Sequence, residues 1–336
     1  MTAAPYPLRL RPILLEKTWG GDRLAAFGKP VPPRARIGES WEVADLGATA
    51  PSGAGGGAQR SVIENGALAG ATLHEALRAW GRGLLGAAEP TGTGEFPLLI
   101  KLLDAREHVS VQVHPSPGYA AQHPGVAIKH EAWLVVEAEP GARIFAGLRH
   151  GVGADELRSA VAAGRVRDVL QSVPALPGSC HTLPSGIVHA LGAGVVVVEV
   201  QTPSDTTFRL YDWVGEYERP CRALHVEEAL EAMARIDAPP PRYVPPRPGR
   251  TTIAETARFT VEAARLAPGS VASLAPGGAT CIVVQVVAGA VRVHAGEALA
   301  LERGAAAVVP AALVARASLE AGPLGALVVL SSPCAG

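Results

Sequence analysis

The chain holds 336 residues, with 30 Lys and Arg against 31 Asp and Glu and a formal net charge of −1 at pH 7. That balance excludes a global field that would draw in nucleic acid or anionic lipid, and the length allows one large domain or two modest ones with a buried core. No run approaches the ~18 uncharged apolar residues of a membrane span, and MTAAPYPLRL lacks the apolar run and cleavage site of a signal peptide.

The expectation is therefore a soluble cytoplasmic protein with no nucleic-acid or membrane partner. Four cysteines, Cys180, Cys221, Cys281 and Cys334, form no C-x-x-C pair and read as reduced, structural residues.

In chain order, residues 47–60 form a Gly/Ala/Ser-rich loop. A helix over about 72–86 follows, with Thr72 as its cap and Glu75 three residues on. FPLLIKLL at 96–103, VSVQVHP at 109–115 and the apolar run after Glu131 read as strands. A second helical stretch spans 153–172, with Gly164 able to divide it, and HVEEALEAMARI at 225–236 is a third. GVVVVEVQ and TTFRLYDW, between 194 and 213, are strands. DAPPPRYVPPRPGR at 237–250 is a proline-rich linker and the main internal boundary. Residues 251–336 return to short strands, a texture suited to a compact β-sandwich or barrel.

Three segments carry chemistry. In the strand VSVQVH, alternation puts Val109, Val111 and Val113 on one face and Ser110, Gln112 and His114 on the other. Glu131 opens the next strand as a possible oxygen ligand. Pro184, Gly186 and His189 give P-x-G-x-x-H, a tight turn that delivers a histidine into a strand. Two imidazoles, a carboxylate and an amide oxygen suit a divalent ion: zinc, iron, manganese or nickel. Without a thiolate the set is unlike a closed structural zinc site, and room remains for water or substrate. His74, His108, His123, His130, His150, His181 and His225 lack such company and read as structural or surface residues.

Taken together, PLRLRPILLEKTWGG, IGESWEVAD, FPLLIKLLDAREHVSVQVHP, KHEAWLVVEAEPGARIFAG, LPSGIVHALGAG and VVVVEVQTPSDTTFRLYDW, collinear over most of residues 5–236, resemble the short bacterial type I mannose-6-phosphate isomerases of the cupin superfamily. The resemblance implies a mainly β fold. A cupin (jelly-roll) barrel with a few helices, residues 1–236, would be the metal-binding catalytic domain, and 251–336 a smaller cupin-like β-barrel without metal. It implies Zn2+, with another divalent ion open, held by Gln112, His114, Glu131 and His189.

The resemblance also points to Arg209, Lys129 and Glu199 as catalytic residues. For the base, Lys129 is the first choice because burial near a cation can lower its pKa, with Glu199 the competitor and a coupled metal-bound water a third candidate. It points to Lys101, Ser110 and Asp205 for binding a sugar phosphate. From the residues themselves, Lys101 inside FPLLIKLL and Glu199 inside VVVVEVQ are buried charges that need partners. Arg209 is expected to share a strand face with Thr207 and Tyr211. Rival readings are an iron-dependent cupin oxygenase, a non-catalytic sugar-phosphate-binding protein and a storage cupin. A monomer or homodimer is expected.

Overall fold

The computed structural model describes residues 4–50, 54–213, 215–220, 222–274 and 278–336; Cys221 and residues 51–53 of the glycine-rich stretch lie outside them. The chain is mainly β with a few short helices, as expected. Among the described residues the strands form sheets of eight, seven, five and two strands.

Alternation explains how the sheets stack. In the Val195–Gln201 strand every residue is buried. Val196, Val198 and Val200 join one apolar cluster, while Val195 and Val197 join another. Leu99–Ala105 behaves likewise, with Ile100 and Leu102 on one side and Leu103 and Ala105 on the other. A strand covered on both faces reads as an unbroken apolar run, and that is the texture of VVVVEVQ.

One face of the seven-stranded sheet packs on the five-stranded sheet through Leu103, Trp133 and Val197 against Ile144 and Leu191. The other face packs on the Leu73–Trp80 helix and on Ile253, Val261, Val283 and Val329 of the eight-stranded sheet. The outer face of the five-stranded sheet is covered by the helices Ala154–Ala162 and Val226–Ala232.

The first helix has the expected capping box, with the Thr72 hydroxyl accepting from Glu75 N–H and the Glu75 carboxylate accepting from Thr72 N–H. Gly81 divides it from the short Arg82–Leu85 turn. The stretch 153–172 is a correction. The helix ends at Ala162, a 3-10 turn covers Val166–Asp168, and Leu170–Pro174 is a strand paired with Arg143–Leu148. Gly164 adopts φ +67°, which ends the helix. A short helix at Pro117–Gln122, capped by Ser116, has no counterpart in the sequence reading.

The proline-rich stretch 237–250 is not a bare spacer. Arg242–Tyr243 pairs with Ser179–Cys180, and Gly249 already opens the next strand. Leu8–Arg9 pairs with Ala307–Val308 of the eight-stranded sheet, so the largest apolar cluster runs across the proposed boundary.

Candidate metal and sugar-phosphate site

The site lies between the facing layers of the seven- and five-stranded sheets, in a cavity of about 250 Å³. Strand pairing builds it from two rows. On the seven-stranded sheet, Trp41 lies opposite Lys101, Lys101 opposite Glu199, and Glu199 opposite Trp133. On the five-stranded sheet, Arg209 lies opposite Gln112, and Gln112 opposite His189. Residues scattered over 41–209 thus meet because adjacent strands put opposite residues about 5 Å apart.

Gln112 sits on Val111–Val113 between two valines buried under the helices. His114 leaves the end of that strand, and its Nδ1 lies 2.9 Å from the Thr206 carbonyl. His189 starts its own strand with Nδ1 2.9 Å from the Ile187 carbonyl. A carbonyl only accepts, so Nδ1 of each ring carries the proton and both Nε2 lone pairs are left for an ion. His114 Nε2 stands 3.2 Å from Glu131 Oε1, and His189 Nε2 stands 3.5 Å from Glu131 Oε2. The donor atoms of these three residues lie within 4.8 Å of one another.

Gln112 joins them. Its amide nitrogen is 3.1 Å from His189 Nε2, and a half-turn of the amide brings the oxygen to the same place. Both Glu131 oxygens are buried with no aligned hydrogen bond, which is a costly arrangement unless a cation faces them. The nearest cation is Lys129, whose Nζ is 2.6 Å from Glu131 Oε1 and 3.3 Å from His114 Nε2. The donor set therefore fits a divalent ion.

The electrostatics agree. Burial would raise the Glu131 carboxyl, but Lys129 and His114 outweigh it and hold it well below its usual range. Burial, with Lys129 adding, pushes His114 down to about 3, and burial lowers His189 too. Both rings are neutral at pH 7, the form that ligates.

The remaining expected residues are all buried or line the cavity. Lys101 Nζ is 2.9 Å from Glu199 Oε2 and 3.7 Å from Glu39 Oε2. Burial alone would lower it; the two carboxylates overcome that and raise it. Trp133 Nε1 donates to Glu199 at 2.7 Å, and burial raises the Glu199 carboxyl. Ser110 Oγ is 3.5 Å from Gln112 Oε1. The Asp205 carboxylate accepts from Ala50 N–H at 2.7 and 2.8 Å.

Arg209 Nη1 donates to the Ala223 carbonyl at 2.7 Å, Nε has no hydrogen-bond partner, and no carboxylate pairs with it among the described residues. Burial first and Arg222 second bring it down to about 10, so it stays charged at neutral pH. Thr207 and Arg209 line the cavity, but Tyr211 does not. A bulge between Arg209 and Tyr211 turns Tyr211 into the core beside Trp213. Sequence reasoning missed Glu39, Trp41, Lys17 and Arg222, which also line the cavity. Alternation in IGESWEV, with Glu39 and Trp41 on one face, was the signal available for two of them.

Comparisons with known proteins bear on this geometry. The family model "Phosphomannose isomerase type I, catalytic domain" matches residues 8–132. The mannose-6-phosphate isomerase of Streptococcus mutans is 38% identical over 229 residues, covering 68% of this chain and 67% of the relative. The crystal structure of the mannose 6-phosphate isomerase from Bacillus subtilis superposes with a TM-score of 0.76 at 26% identity, covering 97% of this chain and 99% of that one. A structure of mannose 6-phosphate isomerase described as "holo; zinc bound" shares the fold, with a TM-score of 0.71 at 16% identity, covering 99% of this chain and 100% of that one. By sequence and by fold, the chain belongs to the type I phosphomannose isomerase family.

Proposed function

We propose that this chain interconverts mannose 6-phosphate and fructose 6-phosphate with one zinc ion held by Gln112, His114, Glu131 and His189. The observation that carries the reading is the pair of Nε2 lone pairs facing a buried carboxylate that has no aligned hydrogen bond. When bound, the zinc supplies positive charge that favours ionisation of the sugar oxygens next to the migrating proton.

The chain's own residues do the rest. An aldose–ketose isomerisation takes a proton from C2 of the aldose and returns it at C1 through a cis-enediol. Lys129 was the first expectation for the base. As an ammonium against Glu131 it is better suited to donate to a substrate oxygen. Glu199 is the better acceptor: it is a carboxylate that burial raises, and Oε2, though 2.9 Å from the Lys101 ammonium, makes no aligned hydrogen bond. Arg209, with its unused Nε–H, stabilises negative charge at the opposite wall.

Lys101 and Ser110 were expected to hold the phosphate. Lys101 already faces two carboxylates, so it is proposed as a donor to sugar hydroxyls, with Ser110 beside it. The phosphate is then assigned to the wall of Arg209 and Arg222: Arg209 pairs with no carboxylate among the described residues, and Arg222, held by Asp212, shares that one carboxylate with Arg219. Asp205 stands at the rim as a hydroxyl acceptor.

No helix among the described residues is long and apolar enough to cross a membrane, and a cytoplasmic monomer or homodimer acting on a sugar phosphate is the setting proposed. The test is chelation: exhaustive metal removal should abolish formation of fructose 6-phosphate from mannose 6-phosphate, and added zinc should restore it. Full turnover by metal-free protein would end the reading.

A further inference from the structure

Glu39 is a charged side chain of the cavity that none of the roles above uses. Glu39 lies on Ile37–Val43 and turns its side chain to the same space as Trp41, while Ser40 and Glu42 point away from it and bond each other. Three groups converge on its carboxylate. Trp41 Nε1 donates to Oε2 at 2.7 Å, Lys17 Nζ is 3.3 Å from Oε1, and Lys101 Nζ is 3.7 Å from Oε2. Lys101 also lies over the Trp41 ring, 5.1 Å from its centroid.

On the other side of Lys101, Glu199 repeats the pattern: an indole N–H from Trp133 at 2.7 Å and the same ammonium at 2.9 Å. Lys101 is thus suspended between two carboxylates, each held by its own tryptophan. Two ammonium groups, Lys17 and Lys101, face two carboxylates, Glu39 and Glu199, so the cluster has no net charge with which to attract a phosphate dianion. The ion pair to Glu199 Oε2 is close but not an aligned hydrogen bond, as expected of an ammonium drawn two ways.

Resting on the isomerase reading, we infer that Glu39 is a positioning residue: it shares the Lys101 ammonium with Glu199, keeps Lys101 available as a donor to sugar hydroxyls, and weakens the hold of Lys101 on the Glu199 oxygen that accepts a proton. Without Glu39, Lys101, already 2.9 Å from Glu199 Oε2, turns wholly to that oxygen and makes the aligned hydrogen bond it now lacks, blocking the acceptor that the reaction needs. Burial would raise the Glu39 carboxyl, but Lys17 and Lys101 outweigh it and hold it at about 2, so it stays charged throughout the working range.

The experiment compares wild type, Glu39→Gln and Arg222→Lys by steady-state kinetics and by calorimetric titration with inorganic phosphate. Glu39→Gln keeps an oxygen for the Trp41 indole. It should lower kcat at least about tenfold through misplacement of Lys101 and leave phosphate affinity unchanged. Arg222→Lys should weaken phosphate binding. A purely structural role for Glu39 would degrade both quantities together and overturns the inference. So does an unchanged kcat, or a clear tightening of phosphate binding in Glu39→Gln, which would mean that Lys101 is the phosphate anchor released from a competitor. If Glu39→Gln does not fold, Glu39→Asp takes its place with the same split expected at a smaller amplitude. A wild-type protein that binds phosphate but does not isomerise the sugar would end the functional reading, and the phosphate titrations would still test where Glu39 holds Lys101.

Discussion

At the scale of single residues, the cavity divides into groups already satisfied by protein partners and groups left with capacity for substrate. Arg209 is among the latter, which makes its removal informative. Arg209→Ala should lower kcat by about 10²–10³-fold, the usual loss when one preorganised donor to developing charge is deleted. The thermal midpoint should change little, because no carboxylate is orphaned and only the Ala223 carbonyl loses a donor. A second prediction concerns acid. His108 and His181 are both pushed down to about 4, mainly by burial. The unfolded chain titrates them near 6.5 and so takes up protons first as pH falls. Their contribution to stability is whole above about 6.5 and is lost progressively toward 4. Urea midpoints should therefore fall over that window, and His181→Gln should flatten part of the slope. The ligand set was legible in the sequence because strand alternation places Gln112 and His114 together and the Pro-x-Gly turn aims His189. Glu39 was not, because its meaning comes from Lys101, a partner brought near only by the pairing of Ile37–Val43 with Leu99–Ala105.

Element ends position three of the four proposed ligands: Glu131 and His189 open their strands and His114 follows one. The clearest case is Gly186 in the turn before His189. It adopts φ +90°, its N–H donates to the His114 carbonyl at 2.9 Å, and a Cβ there would come within 2.8 Å of Ala234 and Ser116 Cβ atoms. Gly186→Ala should cost about 1–3 kcal/mol in chemical denaturation and weaken zinc binding in a competition titration, since it displaces the two histidine-bearing segments together. Local signals were legible where they were complete on one segment, as with the capping box of Thr72 and Glu75. They failed at 153–172 because Leu170–Pro174 is recruited by pairing with Arg143–Leu148, and nothing within the stretch itself announces that neighbour. The bulge after Arg209 escaped for the same reason: a two-residue alternation rule cannot see an extra residue tolerated by the adjoining strand.

Over the whole molecule, the eight-stranded sheet is joined to the seven-stranded sheet by a lysine that makes a buried ion pair on one side and bonds a backbone carbonyl on the other. Lys29 Nζ is 2.6 Å from Glu42 Oε2 and donates at 2.7 Å to the carbonyl of Gly304, which Gln285 also engages at 2.9 Å. Arg303 adds a bond to Glu137 at 2.6 Å and stacks 4.0 Å over Phe27. Lys29→Met alone should cost about 3–5 kcal/mol, because it strands Glu42 without its cation, and Lys29→Met with Glu42→Gln should recover much of that loss. Unfolding in urea, run as a double-mutant cycle, measures both. The division of sequence texture at 237–250 was legible, but the packing across it was not, because Leu8–Arg9 pairs with Ala307–Val308, almost the full length of the chain away. That pairing bears on how the protein is made. Leu8–Arg9 leaves the ribosome long before Ala307–Val308, so the layers made early keep an apolar flank uncovered until the eight-stranded sheet has been synthesised. A nascent chain halted at the proline-rich stretch would be an aggregation-prone species, and a helper that shields apolar surface during translation would raise the yield of the finished enzyme.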